Sequence, residues 1–160
     1  MSEHKATVDW KRTSPDFLKG KYSREHTWTF DGGLTVSASA SPSVVPAPYS
    51  NPAGVDPEEA FVASVSSCHM LWYLSLAGQQ GFQVDSYNDQ AVGHMTRNEK
   101  GVLWISSIKL SPNITYSGEK RPTPADEERL HHQAHERCFI ANSIKTQVTV
   151  GETATEAYAS

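Results

Sequence analysis

Cysteine is nearly missing from this chain: 160 residues hold two, Cys68 and Cys138. So small a supply excludes a disulfide-stapled secreted module, and two thiols about seventy residues apart cannot make a structural zinc site without help from histidine. Concentrated positive charge is missing too. No Lys/Arg block is longer than Lys120-Arg121, and a formal charge of −4 with a pI near 5.9 leaves no electrostatic footprint for nucleic acid. The longest apolar stretch, around Leu71 to Ala77, is interrupted by Ser75 and falls short of the roughly 18 to 20 residues of a spanning helix. The start Met1-Ser2-Glu3-His4-Lys5 has neither the basic nor the apolar region of an export signal. A cytoplasmic protein without a membrane partner is the expectation.

What is present reads as one folded domain over residues 1–150, with 151–160 as a flexible tail. His26 to Phe30 and Leu34 to Ser39 alternate around Asp31-Gly32-Gly33, which predicts a β-hairpin. Five prolines between Ser41 and Pro57 predict a long loop. Asp56 then offers an N-cap, Pro57 a first helical position and Glu59 a capping-box partner for a helix of roughly 22 residues ending near Gly78 and Gly81. Phe61, Val65, Cys68, Trp72 and Leu76 recur on it at intervals of three and four, so Cys68 is expected on the buried stripe. Phe82–Val92 and Val102–Leu110 read as strands, Pro112 to Pro124 as a break, and Thr123 as the cap of a second helix reaching about Cys138. Ser143–Val150 closes the pattern as a strand. This order predicts an α+β fold with mainly antiparallel sheet. The long helix is apolar around more of its circumference than one small sheet covers, which points to a second subunit against it.

The chemistry of the cysteines has three readings: thiol reactivity, metal ligation, or two inert buried side chains. His131, His132, His135 and Cys138 stand at helical spacings, and with Cys68 they could make a zinc set; a solvated histidine face is the plainer expectation. A ligand-binding protein without turnover is the third possibility. Neither Cys-x-x-Cys nor His-Glu-x-x-His occurs.

Two phrases narrow these readings. Asp56-Pro57-Glu58-Glu59-Ala60-Phe61 ahead of Ser66-Ser67-Cys68-His69, together with Cys138-Phe139-Ile140-Ala141-Asn142-Ser143, resembles the OsmC/Ohr family of thiol-dependent hydroperoxide reductases (osmotically inducible protein C and organic hydroperoxide resistance protein). Tyr22-Ser23-Arg24-Glu25-His26 resembles the place where that family carries its active-site arginine. The resemblance runs from about residue 20 to 150 and implies an OsmC-like fold: an intertwined homodimer with antiparallel sheets around central helices and active sites at the subunit interface. It implies that Cys68 is the peroxidatic cysteine and Cys138 the resolving one, with Arg24 as the activating cation and Glu58 as its orienting carboxylate. No cofactor and no bound metal are implied; the partners are an organic hydroperoxide and a thiol or dithiol reductant. One residue departs from the pattern. Phe139 stands where a proline commonly follows the second cysteine.

Physical chemistry adds two expectations. A buried Cys68 needs a cation to hold its thiolate, since it lies about three turns from the helix N-terminus and beyond reach of the dipole. Ten residues of continuous helix advance about 15 Å, so Glu58 can serve only the Cys68 of a second copy. An apolar lining from Phe61, Met70, Trp72, Val44, Val45, Pro46 and Tyr49 would favour organic hydroperoxides over hydrogen peroxide.

Overall fold

Local chemistry starts most of the elements. The computed structural model describes residues 1–151 and divides into two compact units, Met1–Ala60 and the residues from Phe61 onward. The expected tail, Gly151 excepted, lies outside the described residues. The first unit carries an antiparallel sheet of β1 (Ala6–Asp9), β2 (His26–Phe30) and β3 (Thr35–Ala38), in that order. β2 and β3 are the expected hairpin, His26 opposite Ala38 and Thr29 opposite Thr35. Gly33 turns it with φ of 92°, a conformation costly to any residue with a Cβ, and its N–H reaches the Phe30 carbonyl at 2.9 Å. β1 is exposed along its whole length and has no apolar alternation to announce it.

The proline-rich stretch is a loop pinned by side chains. Ser50 donates to the Val45 carbonyl at 2.5 Å, and the Asn51 amide donates to Glu25 Oε1 at 2.8 Å. It feeds α1 (Pro57–Gln79), whose start is the expected capping box: Glu59 N–H donates to Asp56 Oδ1 at 2.8 Å and Asp56 N–H to Glu59 Oε1 at 2.9 Å.

From Phe61 onward α1 supplies two cores. Val65 packs with Ile108, Leu110 and Val148, whereas Tyr73, Leu76 and Ala77 pack with Phe82, Leu130 and Ala134. The second core is floored by β4 (Gln83–Asp89) paired antiparallel with β7 (Pro112–Ser117). The first is floored by β5 (Val92–Arg97), β6 (Leu103–Leu110) and β8 (Gln147–Val150), with β5–β6 antiparallel and β6–β8 parallel. The parallel pair needs a long connection, and α2 (Pro124–Arg137) lies within it. α2 starts on Thr123, which accepts from Asp126 N–H at 3.1 Å while Asp126 Oδ2 accepts from Thr123 N–H at 2.9 Å.

Three expectations need correction. Pro112 to Ser117 is a strand: proline tolerates the first strand position, and Asp89 Oδ1 accepts Ser111 N–H at 2.6 Å just ahead of it. Phe82–Val92 divides into β4 and the start of β5, in different sheets. By length and composition α1 is apolar enough to cross a membrane, which counting uninterrupted runs overlooked; here part of that apolarity feeds the two cores, while Leu71 stays exposed.

Candidate active site

Cys68 is not on the buried stripe. The buried positions of α1 beyond its first turns are Val65, His69, Tyr73, Leu76 and Ala77, one step round from the Cys68–Trp72 track. Polar groups can occupy that stripe because their partners are built in. His69 Nε2 and His131 Nδ1 lie 2.9 Å apart with the rings stacked, and the Tyr73 and Tyr116 hydroxyls meet at 2.5 Å. Cys68 is thereby turned to a partly buried position, lining an apolar cavity of about 270 Å³ with Leu71, Trp72, Ser75 and Phe139.

Cys138 ends α2, its N–H reaching the His135 carbonyl at 3.2 Å. Only 1% of it is exposed. Its thiol lies within hydrogen-bonding reach of Cys68, and both cysteines are reduced. Burial pushes the Cys138 thiol up to about 11; backbone donors from Ala141 and Ile140 pull the other way, and Cys68 adds to the rise. The Ala141 N–H is 3.4 Å from Cys138 Sγ. The following turn is tied down closely. Asn142 Nδ2 donates to the Cys138 and Glu136 carbonyls at 2.9 and 3.0 Å, satisfying helix-end acceptors, and Ser143 Oγ donates to the Phe139 carbonyl at 2.7 Å.

The solvated histidine face is half wrong. His132 is exposed, but His131 and His135 are buried beside His69. Burial, followed by the neighbouring His131 and His135, lowers His69 to about 3; burial alone lowers His131 to about 4. Burial thus favours the neutral imidazoles at pH 7, and their bond requires at least one of them, since two imidazolium rings would both be donors. His69 Nδ1 is buried and has no hydrogen-bond partner among the described residues. Among the described residues no group of three or more His, Cys, Asp or Glu is arranged to hold a metal ion. The signal for the buried cluster was in the sequence: His69, Tyr73 and Ala77 continue the four-residue spacing from Val65.

Arg24 and Glu58 lie in the first unit. The Arg24 guanidinium stacks 3.6 Å from the Tyr22 ring centre and donates to the Tyr22 and Gly20 carbonyls at 2.6 and 3.1 Å. Its own carbonyl is held by His26 Nδ1 at 2.7 Å, a tautomer set by Trp28 Nε1–H donating to His26 Nε2 at 3.0 Å. Arg24 lines an apolar cavity of about 470 Å³ with Val8, Trp10, Phe17, Tyr22 and His26 among its walls. Glu58 Oε2 is buried and has no hydrogen-bond partner among the described residues. Of the expected substrate lining, Trp72 faces the Cys68 cavity; Phe61 packs instead against the Val65 core.

The family model for OsmC-like proteins matches residues 50–153. An OsmC-like protein of unknown function from Vibrio cholerae is 54% identical, with 95% of this chain and 99% of that one covered and a TM-score of 0.91. Organic hydroperoxide resistance proteins from Elizabethkingia anophelis (19% identical, 94% and 96% covered, TM-score 0.69) and Bacillus subtilis (20%, 94% and 96%, 0.65) share the fold. Comparison with curated proteins gave no match.

Proposed function

The chain belongs to the OsmC-like protein family, and from that premise we propose that it reduces organic hydroperoxides to alcohols through Cys68 and Cys138, as a cytoplasmic defence against oxidative stress. One observation carries the reading: two free thiols lie within hydrogen-bonding reach of each other, and the outer one opens on an apolar cavity while the inner one is buried. The Cys68 thiolate attacks the hydroperoxide oxygen farther from carbon. The O–O bond breaks, Cys68 becomes a sulfenic acid, and the alkoxide takes a proton to leave as alcohol. Cys138 then displaces hydroxide, which takes up a proton and leaves as water, and closes a disulfide. A dithiol or two monothiols reduce it by exchange, returning both thiols.

Arg24 and Glu58 are proposed as the cation and its orienting carboxylate. A guanidinium stays charged and can hold thiolate, carboxylate and peroxide oxygen together. A buried carboxylate oxygen without a partner is costly, which supports a cation reaching Glu58 in the working assembly. α1 is unbroken from Pro57 to Gln79, the condition under which Glu58 serves the Cys68 of a second copy. A homodimer is thus part of the proposal, and full activity in a stable monomer would remove it.

Mass spectrometry of the reduced protein after one equivalent of cumene hydroperoxide tests the cycle. A loss of about 2 Da mapped to a Cys68–Cys138 link is the expected result. Unmodified thiols would overturn the reading.

A further inference from the structure

We infer that Phe139 and Trp72 form a recognition site for a single aromatic ring in front of Cys68, so that this chain selects small aryl hydroperoxides over branched alkyl ones of similar size. The inference deepens the proposed reading and rests on it for the reactive group, but not for the binding site. In the single chain Phe139 and Leu71 stay exposed, although both are large and apolar. Neither belongs to a core, and both wall the cavity that Cys68 lines.

The Phe139 and Trp72 rings stand 5.5 Å apart at 77°, an edge-to-face pair that leaves ring surface toward the cavity. The Arg137 guanidinium lies 5.8 Å from the Trp72 ring centre, and the Phe139 turn is tied by Asn142 and Ser143. Two aromatic side chains, each with two rotatable bonds, lose little entropy on taking up a flat partner. The cavity of about 270 Å³ is smaller than the ~300–1,000 Å³ of drug-sized sites, which suits one ring better than a long acyl chain. Because Phe139 directly follows Cys138, the specificity wall and the inner thiol share one turn.

The test uses full-length Cys68→Ser protein, which cannot turn over, titrated calorimetrically with 2-phenyl-2-propanol and with tert-butanol. The phenyl alcohol should bind and tert-butanol should bind at least about tenfold more weakly; Phe139→Ala should weaken the phenyl alcohol about tenfold and Phe139→Tyr should restore it. With Cys68 intact, the kcat/KM ratio of cumene to tert-butyl hydroperoxide should fall by a similar factor in Phe139→Ala. Phe139 contributes nothing to either core, so its removal should leave the thermal midpoint unchanged. Phenyl-alcohol binding without turnover of any peroxide would refute the peroxidase reading and uphold the aryl site. Turnover with an unchanged ratio and unchanged binding in Phe139→Ala would overturn the aryl site and leave the peroxidase reading standing. Loss of self-association in Phe139→Ala, with ligand binding intact, would make this corner a subunit contact and also overturn the inference.

Discussion

Cys68 lines an open cavity midway along α1, whereas Cys138, in reach of it, is sealed at the end of α2 and keeps its proton up to about 11. The difference fits the division of labour proposed for the two thiols. A thiol that meets substrate must be reached from outside, and a thiol that follows must be withheld until its neighbour has been oxidised. Burial achieves the withholding, because the charged form is what desolvation disfavours and the thiolate is the reactive species.

The comparison breaks most visibly when each thiol is removed. Cys68→Ser should lose kcat/KM for cumene hydroperoxide by more than about a thousandfold. Cys138→Ser should keep the first turnover, seen as one equivalent of peroxide consumed in stopped flow, and then accumulate oxidised Cys68. Equal burst amplitudes in the two variants would erase the distinction.

Raising the pH should sharpen it. If the Cys138 thiolate attacks the sulfenic acid, disulfide closure should accelerate about tenfold per pH unit from neutrality toward 11, because the thiolate fraction rises by that factor below the pKa. Rapid-quench mass spectrometry of protein oxidised by one equivalent of peroxide reads this rate directly. A rate flat from pH 7 to 10 would mean that burial of Cys138 does not gate closure.

Acid should act on the packing behind both thiols. His69 and His131 have folded-state values of about 3 and 4, below the ~6.5 of an unfolded histidine, so the unfolded chain binds more protons in between. Their neutral burial is fully compatible with the fold above pH 6.5, and stability falls as pH drops from 6.5 toward 4, by on the order of a few kcal/mol. Urea titrations at pH 7 and 4.5 should show the drop, and His131→Phe, which removes one of the two titrating groups, should make it smaller. An identical slope in that variant would place the acid sensitivity elsewhere.

The smallest effect should come from the other end of α2. Thr123→Ala removes one cap acceptor and should cost about 1 kcal/mol without altering disulfide closure, measured by denaturant midpoint and by the quench experiment. A large change in closure would show that the helix start, and not only its Cys138 end, positions the inner thiol.

Both capping boxes and the β2–β3 hairpin were legible in the sequence because they join residues close in the chain, three apart in the boxes and six to twelve in the hairpin, whose geometry owes little to the rest of the fold. β7 was not, since Pro112 looks like a breaker until β4 is there to pair with it. The two cysteine phrases and the family they resemble could be read as well. The buried stripe of α1 was only half legible: His69, Tyr73 and Ala77 follow Val65 at four-residue spacing, but Cys68 and His69 are adjacent, apolarity favours the first, and only His131 on α2 makes the second acceptable inside.

By itself the sequence determined the α+β order, the cysteine-bearing helix and the helix end that carries the second cysteine, because local periodicity, caps and prolines act over a few residues. Tertiary structure decided that Cys68 faces a cavity, that Cys138 is sealed against it, and that Phe139 meets Trp72. These depend on which side chains from distant segments satisfy one another's hydrogen bonds, and desolvation makes each such pairing a choice of the whole fold.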